Sequence, residues 1–141
     1  MTVTRVTEGR GVLALRIDGV ASTANAGQGA FPNPEGCDIL ILRGTLVVHT
    51  ASTGAANISI GIAADATSAA TDLINALAMN GVTAQTAYNC HAMQNTAKTA
   101  ITAPALWTAS KYLTITGSAS LVGLEATLFL EYLRVDEPAA A

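Results

Sequence analysis

The sequence predicts a mainly β protein, an antiparallel β-sandwich. Apolar and polar residues alternate at every second position in several segments, and turn-rich connections separate these segments. Only one segment has the spacing of a helix. Such alternation is typical of strands that turn one face to a core and the other to water. We predict jelly-roll connectivity for the sandwich, with one short helix and an extended N-terminal arm.

The clearest alternation lies near the end of the chain. Glu125, Thr127 and Glu131 point to one side, and Phe129 is an apolar exception on that side. The other side carries Leu124, Ala126, Leu128, Leu130 and Tyr132. This pattern predicts a long strand with one wet face. The same period predicts shorter strands around Leu13–Ile17, Asn57–Ile62 and Lys111–Thr116.

The segment Asp38–Thr50 begins with a run that is apolar on both faces. Ile39 and Ile41 alternate with two leucines before the usual pattern resumes at Leu46 and Val48. A strand covered on both sides is either central in a sheet or in contact with a neighbouring subunit. Both interpretations stay open at the level of the sequence.

One segment, Ser68–Met79, has helical spacing. Four apolar residues share one helical face, Asp72 suits the first turn, and Gly81 follows as a C-terminal cap. These four are Leu73, Ile74, Leu77 and Ala78. We therefore predict a short helix from about Ser68 to Met79, inserted between strands.

Two long connections and the chain ends complete the predicted organisation. Ala21–Glu35 is rich in Gly and Pro, and Val82–Ala105 is rich in Gln, Asn, Thr and Ala. Loops of this length are usually functional or ordered by a partner. We predict an N-terminal arm over residues 1–10, one sandwich domain over 11–135 and a flexible tail over 136–141.

Composition narrows the class of partner. Hydrophobic residues make up 50% of the 141 residues and charged residues 12%, against a usual charged share of about 25%. A chain with so few charges is expected to cover apolar surface by forming a homo-oligomer. The net charge of −3 without a basic run argues against nucleic acid and against an anionic membrane. Met1–Glu8 has no signal-peptide pattern, so synthesis in the cytoplasm is expected.

The residue types that bind metals are present but badly spaced. Zinc would have to gather Cys37, His49, Cys90 and His91. Only Cys90 and His91 are close in sequence, and neighbours in a strand point to opposite faces. We therefore predict no metal and no cofactor, and two free, buried thiols.

No catalytic constellation emerges either. The chain has no nucleophile elbow and no zinc-protease motif. Glu125 and Glu131 share a strand face, but they lie about 20 Å apart along it, well beyond the roughly 9.5 Å limit of glycosidase pairs. The sequence predicts a protein that is not an enzyme. Trp107, beside Pro104, is interpreted as an edge plug whose indole N–H meets a backbone carbonyl.

Several short motifs resemble the jelly-roll decoration, or cement, proteins of tailed-bacteriophage heads. Ile58–Ala63 followed by Asp65-Ala66-Thr67 is similar to a strand-then-turn passage of that family, and Asp72-Leu73-Ile74-Asn75 is similar to its helix start. Lys111–Ile115 and Gly123–Tyr132 look like its closing hairpin. The resemblance covers roughly residues 57–135.

The resemblance implies a virion structural protein, often trimeric, that sits on the outside of the capsid and bridges major capsid subunits. As oligomer or capsid contacts we select Ile39 and Ile41 on the apolar strand and Arg5 and Val6 in the arm. Residues 1–11 or the Ala21–Glu35 loop would touch the shell. The alternative is a receptor- or carbohydrate-binding module of a phage fibre or tail. Sugar sites stack on aromatic rings, for which the candidates are Trp107, Tyr88 and Tyr112.

Overall fold

A computed structural model describes residues 1–3, 9–21, 28–89 and 105–135. These residues form two antiparallel sheets without a helix, so the predicted β-sandwich is confirmed. The strands are β1 (Arg10–Asp18), β2 (Gly29–Pro32), β3 (Ile39–Thr50), β4 (Asn57–Ala63), β5 (Ile74–Ala78), β6 (Thr86–Asn89), β7 (Ala105–Trp107), β8 (Tyr112–Gly117) and β9 (Glu125–Arg134).

The chain crosses from one sheet to the other at nearly every connection between the described strands. Sheet A has the order β1-β9-β3-β6, and β7 also pairs with β3. Sheet B has the order β2-β8-β4-β5. Among the described strands, only the β4–β5 and β6–β7 steps stay within one sheet. The jelly-roll connectivity stays a prediction beyond the sandwich itself.

The core lies between the inward faces of the two sheets. β9 follows its predicted alternation, because every second residue from Leu124 to Tyr132 is buried while Glu125 and Phe129 are exposed. In β3, Leu46 and Val48 are fully buried, as predicted. The buried aliphatic side chains that meet them from sheet B and its flanking turns are Ile58, Ile60, Ile62, Leu73, Ile74, Leu113 and Leu121. A single hydrophobic cluster thus joins both layers.

The predicted helix over Ser68–Met79 is wrong. Residues Ile74–Ala78 form strand β5, which pairs antiparallel with β4. Leu73 and Ile74 are both fully buried, and the N–H of Leu73 donates to the carbonyl of Ile60 just before the strand begins. The ladder then breaks its register, and Ala76 takes a φ of 55°. Two adjacent buried residues followed by an irregular strand imitate helical spacing.

The long predicted loops contain short strands. β2 lies inside Ala21–Glu35, and β6 lies inside Val82–Ala105. The predicted closing hairpin is also wrong, because β8 pairs in sheet B and β9 pairs in sheet A.

At the N-terminal end, strand pairing reaches into the predicted arm, where the N–H of Arg134 donates to the carbonyl of Gly9 at 2.8 Å. The tail over 136–141 lies outside the described residues.

Trp107 closes the edge of the sandwich at β7. Its side chain is fully buried, and Nε1 donates to the carbonyl of Lys111 at 2.9 Å. The amide of Asn33 donates to the carbonyls of Cys37 and Trp107, and this ties the β2–β3 turn to the same edge. The interpretation of Trp107 as a plug bonded to a backbone carbonyl is confirmed.

Candidate functional site

The outward side of sheet A carries the most exposed large apolar side chains of any strand face in the described residues. We call the set Val12, Leu40, Leu42, Leu106, Phe129 and Leu133 the outer apolar face. Val12 is 74% exposed, Leu106 48%, Phe129 43% and Leu42 36%. Strand alternation produces this set, since the inward neighbours of these residues fill the core.

The register of sheet A places these side chains next to one another. Leu40 of β3 lies opposite Leu133 of β9 on one side and opposite Leu106 of β7 on the other. Phe129 lies opposite Ala14 of β1. Residues two apart on one strand share a face about 6.5–7 Å apart. One apolar group contains Leu40, Leu106 and Leu133, and a second contains Phe129 and Ala14. Glu131 and its partner Arg43 lie between the two groups. Exposed apolar groups of this kind on one face mark an interaction site.

The charges on this face neutralise one another. Glu131 lies between the guanidinium groups of Arg43, at 2.9 Å, and Arg10, at 3.8 Å. Arg16 contacts Asp18 at 3.1 Å and Glu125 at 3.6 Å. These exposed pairs contribute little stability. They leave three arginines matched by three carboxylates, so the face suits a partner that is itself apolar and weakly charged.

A bulge and an imidazole mark the far end of the face. The β3–β9 register shifts between Val48 and Thr50, so His49 is an extra residue in the ladder. Its ring nitrogens lie 3.0 Å from Oε1 of Gln85 and 2.9 Å from Oγ1 of Thr127. Both ring nitrogens therefore form hydrogen bonds within the protein. His49 links Thr127 on β9 to Gln85, which lies just before β6.

Two of the predicted contact residues are in the wrong place. Ile39 and Ile41 are 0% exposed and point into the core. The alternation of β3 turns Leu40 and Leu42 outward instead. The prediction that Ile39 and Ile41 meet a partner is therefore wrong, although it selected the right strand. Arg5 and Val6 lie outside the described residues.

Sequence reasoning missed Val12 and Leu106 as members of the face. Val12 was missed because β1 has the ordinary alternation of a half-buried strand, which does not single out one outward residue. Leu106 was missed because β7 has three residues, too few to show a two-residue period. Phe129 did leave a signal, since it is the apolar exception on the wet side of β9. A search for large apolar residues at outward positions would have found it.

The outward side of sheet B is different. Thr114 and Thr116 are buried there. A Cβ at Gly61 would lie 2.6 Å from backbone atoms of Ala70 and Asp72, so the loop before β5 passes directly over β4. Sheet B thus has its outer side partly covered by its own chain. This contrast singles out sheet A as the candidate interaction side.

The candidate metal ligands are not brought together in the described part of the chain. Cys37 and His49 stand at opposite ends of β3, about 40 Å apart along an extended strand. Cys37 is half-buried, and Cys90 and His91 lie outside the described residues. Over the described ranges, no three His, Cys, Asp or Glu side chains form a group that could hold a metal ion.

An apolar pocket of about 190 Å³ lies between β1 and β2, where the two sheets separate. Leu15, Ile17, Phe31 and Ile115 line it, and the Gln28 amide at its rim donates to the carbonyl of Gly117 at 3.3 Å. Its described lining contains no cysteine, histidine or hydroxyl group. The described residues contain no helix that is long and apolar enough to cross a membrane.

Comparisons with family models, with curated proteins and with solved structures give no match to this chain.

Proposed function

We propose that this chain is a structural protein of a virion, a decoration protein that binds the outside of a tailed-phage head and bridges its capsid subunits. It acts by binding, without a chemical step. The observation that carries the proposal is the outer apolar face, with Val12 74% and Phe129 43% exposed in a chain with 12% charged residues. An exposed apolar face of this kind marks a site where another protein binds and covers it.

The strand order supports the same proposal. The orders β1-β9-β3-β6 and β2-β8-β4-β5 place the first and last described strands side by side in one sheet. Together with the crossings between layers, this order supports jelly-roll connectivity, a fold that capsid and lectin domains use. The motif resemblance supplies the phage head as the assembly and implies a homotrimer.

Mass action is the proposed mechanism. A protein that binds the assembled shell, and not separated subunits, stabilises the shell by about 2.7 kcal/mol per site at a hundredfold excess over Kd. Many sites act together on one head. The outer apolar face would supply the contact to the major capsid protein, and its balanced charges would avoid burying an unpaired charge in that contact.

The receptor-binding alternative has less support. Trp107, the best stacking residue in the sequence, is 0% exposed and bonded to Lys111. A sugar ring cannot reach it. Tyr88 and Tyr112 are half-buried on different sheets, so they do not form one aromatic platform.

The test adds purified protein to phage heads that lack it. Heads with the protein should open at a higher temperature than heads without it. Phe129→Glu should weaken binding by at least about tenfold, because it places an unpaired charge in the contact. Val122→Glu is the matched control, since Val122 is 41% exposed but lies in the turn before β9, away from sheet A. Native protein that binds glycans or cells tightly, and heads not at all, would replace this proposal by the alternative.

A further inference from the structure

Strand β1 has an unpaired edge in the described structure. It pairs with β9 along all nine residues, from Arg10 with Leu133 to Asp18 with Glu125. Its other edge pairs with no described strand. β1 contains no proline or lysine, the residues that commonly block an open edge. A long edge of this kind is a template for a further strand.

Two hydrogen bonds identify the backbone groups that point to this edge. The carbonyl of Gly9 accepts from Arg134, and the N–H of Gly19 donates to Leu124, both at 2.8 Å. In an antiparallel ladder, residues that bond to one neighbour alternate with residues that point away from it. Odd-numbered residues of β1 therefore bond to β9. The N–H and C=O groups of the even-numbered residues, from Arg10 to Asp18, point to the open edge.

The sequence of β1 is complementary to itself in the antiparallel direction. If two copies meet about a two-fold axis at Ala14, all nine residues pair, and even-numbered residues face even-numbered ones. Arg10 then lies opposite Asp18 of the other copy, and this occurs twice. Moving the register by two residues in one direction places Arg10 opposite Arg16, which is unfavourable. Moving it in the other direction removes the Arg10–Asp18 pair, whereas Val12 faces a charged residue in both registers, Arg16 in the two-fold register and Asp18 in the shifted one.

The apolar side of the edge fits the same contact. Leu13 and Leu15 are half-buried and pack against the core at this edge. In the two-fold register they lie opposite each other, Leu13 of one copy facing Leu15 of the other. The pairing would cover both side chains and join the two copies of sheet A into one continuous sheet. A contact in which the same patch is used on both partners is the isologous type found in two-fold dimers.

We infer that a second copy of this chain pairs antiparallel with β1 through its own β1, with the two-fold axis at Ala14. This inference does not rest on the proposed function. The contact gives an even number of chains, a dimer by itself. If the trimer implied by the motif resemblance also forms, the two contacts together give a hexamer with D3 symmetry.

The first experiment measures mass in solution by light scattering and sedimentation of the purified chain. The native protein should have an even number of chains. Ala14→Pro removes an N–H that points to the open edge and spares the ladder to β9, so it should weaken association by about a hundredfold or more. Ala14→Val keeps the N–H and suits a strand, so it should associate like the native chain. A native monomer or a simple trimer overturns the inference.

Charge reversal tests the register. Asp18→Arg places arginine opposite Arg10 at both ends and should weaken association by about tenfold. Arg10→Asp should do the same. The double variant restores opposite charges and should recover native association. Lys111→Glu, an exposed charge change away from β1, is the control. Failure of the double variant to recover, while both single variants remain folded by circular dichroism, overturns the register.

Hydrogen exchange gives a readout that a general loss of stability does not imitate. Above the dissociation constant, the amides of Val12, Ala14 and Arg16 should exchange slowly, and dilution or Ala14→Pro should make those of Val12 and Arg16 fast. The amides of Leu13 and Leu15 bond to β9 and should stay slow in both states. Equal protection of the even-numbered amides in monomer and oligomer contradicts pairing through β1.

Discussion

The phenol of Tyr132 donates a 2.6 Å hydrogen bond to Oε1 of Glu35. The tyrosine lies near the C-terminal end of β9, on its inward face, and is 5% exposed, whereas Glu35 sits in the turn between β2 and β3. Gly11 on β1 leaves room for the ring, because a Cβ there would lie 2.2 Å from Cζ of Tyr132. One side chain thus connects the end of sheet A to the turn that leads from sheet B into β3.

The burial of Tyr132, together with this bond, makes stability sensitive to alkaline pH. Burial first, and then the hydrogen bond and charge of Glu35, raise the pKa of Tyr132 from 10.0 to about 12. The folded protein keeps the phenolic proton where the unfolded chain releases it. Stability should therefore be full below about pH 10 and fall as the pH rises to about 12. Urea unfolding across this range should show the loss in the native protein and a smaller loss in Tyr132→Phe.

Glu35→Gln provides the matching control. It removes the negative charge beside the phenol, so the pKa of Tyr132 should fall toward its ordinary value. Ultraviolet absorbance of tyrosinate measures this directly, with Tyr132→Phe identifying the late-titrating group. A Tyr132 pKa that is unchanged in Glu35→Gln would mean that burial alone sets it.

Trp107→Phe should lower the free energy of unfolding by about 1–3 kcal/mol. The substitution keeps an aromatic ring in the buried site but leaves the carbonyl of Lys111 without the indole donor. Leu106→Ala, on the exposed side of the same strand, is the control and should change stability by much less. Chemical denaturation followed by circular dichroism measures both. Equal losses would show that the strand matters here and not the indole N–H.

Gly61→Ala should destabilise the fold by about 1–3 kcal/mol. Its Cβ would meet backbone atoms of Ala70, Thr71 and Asp72 at 2.6–2.7 Å, and backbone cannot move as easily as a side-chain tip. Gly54→Ala is the matched control, because nothing lies within 4 Å of a Cβ at that position. Comparable unfolding midpoints for the two variants would contradict the close passage of the loop over β4.

Ile41 and Leu42 are neighbours on β3 that face opposite sides of sheet A. Ile41→Glu buries a carboxylate in the core and should destabilise by more than about 4 kcal/mol, enough to unfold the domain. Leu42→Glu changes a side chain that is 36% exposed at the β3 bulge, and it should alter stability by only about 0.5 kcal/mol. Thermal unfolding distinguishes the two. An Ile41→Glu protein that folds normally would contradict the assignment of faces in β3.

The two-residue period of the sequence predicted which face of each long strand is buried. It did not predict the features that depend on which strands pair. The alternation in β9 correctly assigned Leu128 and Leu130 to the core and Glu125 to solvent, because a two-residue period fixes faces locally. The helix at Ser68–Met79 was predicted wrongly, since the pairing of β5 with β4 and the turn of Leu73 toward Ile60 are long-range facts. The short strands β2, β6 and β7 give no period.

For the outer apolar face, the sequence predicted a contributing strand, β3, but not the residues that point outward. The run from Ile39 onward signalled unusual apolar content, but the choice of outward residue needs the phase of the strand against the core. That phase is set by register with β9 and by a bulge at Leu42. The outer apolar face also gathers residues from β1, β7 and β9, which are distant in sequence and meet only in the sheet.

Sheet A cannot be completed until the ribosome has made its middle member. β9 (Glu125–Arg134) lies between β1 and β3, so β1 has to wait for β9, the last of the described strands, before the edge that the two share is paired. Synthesis at about 5–20 residues per second keeps β1 waiting for roughly 6–23 seconds. A stalled or truncated chain that ends before Glu125 therefore leaves both edges of β1 and one long edge of β3 open to aggregation with other nascent chains.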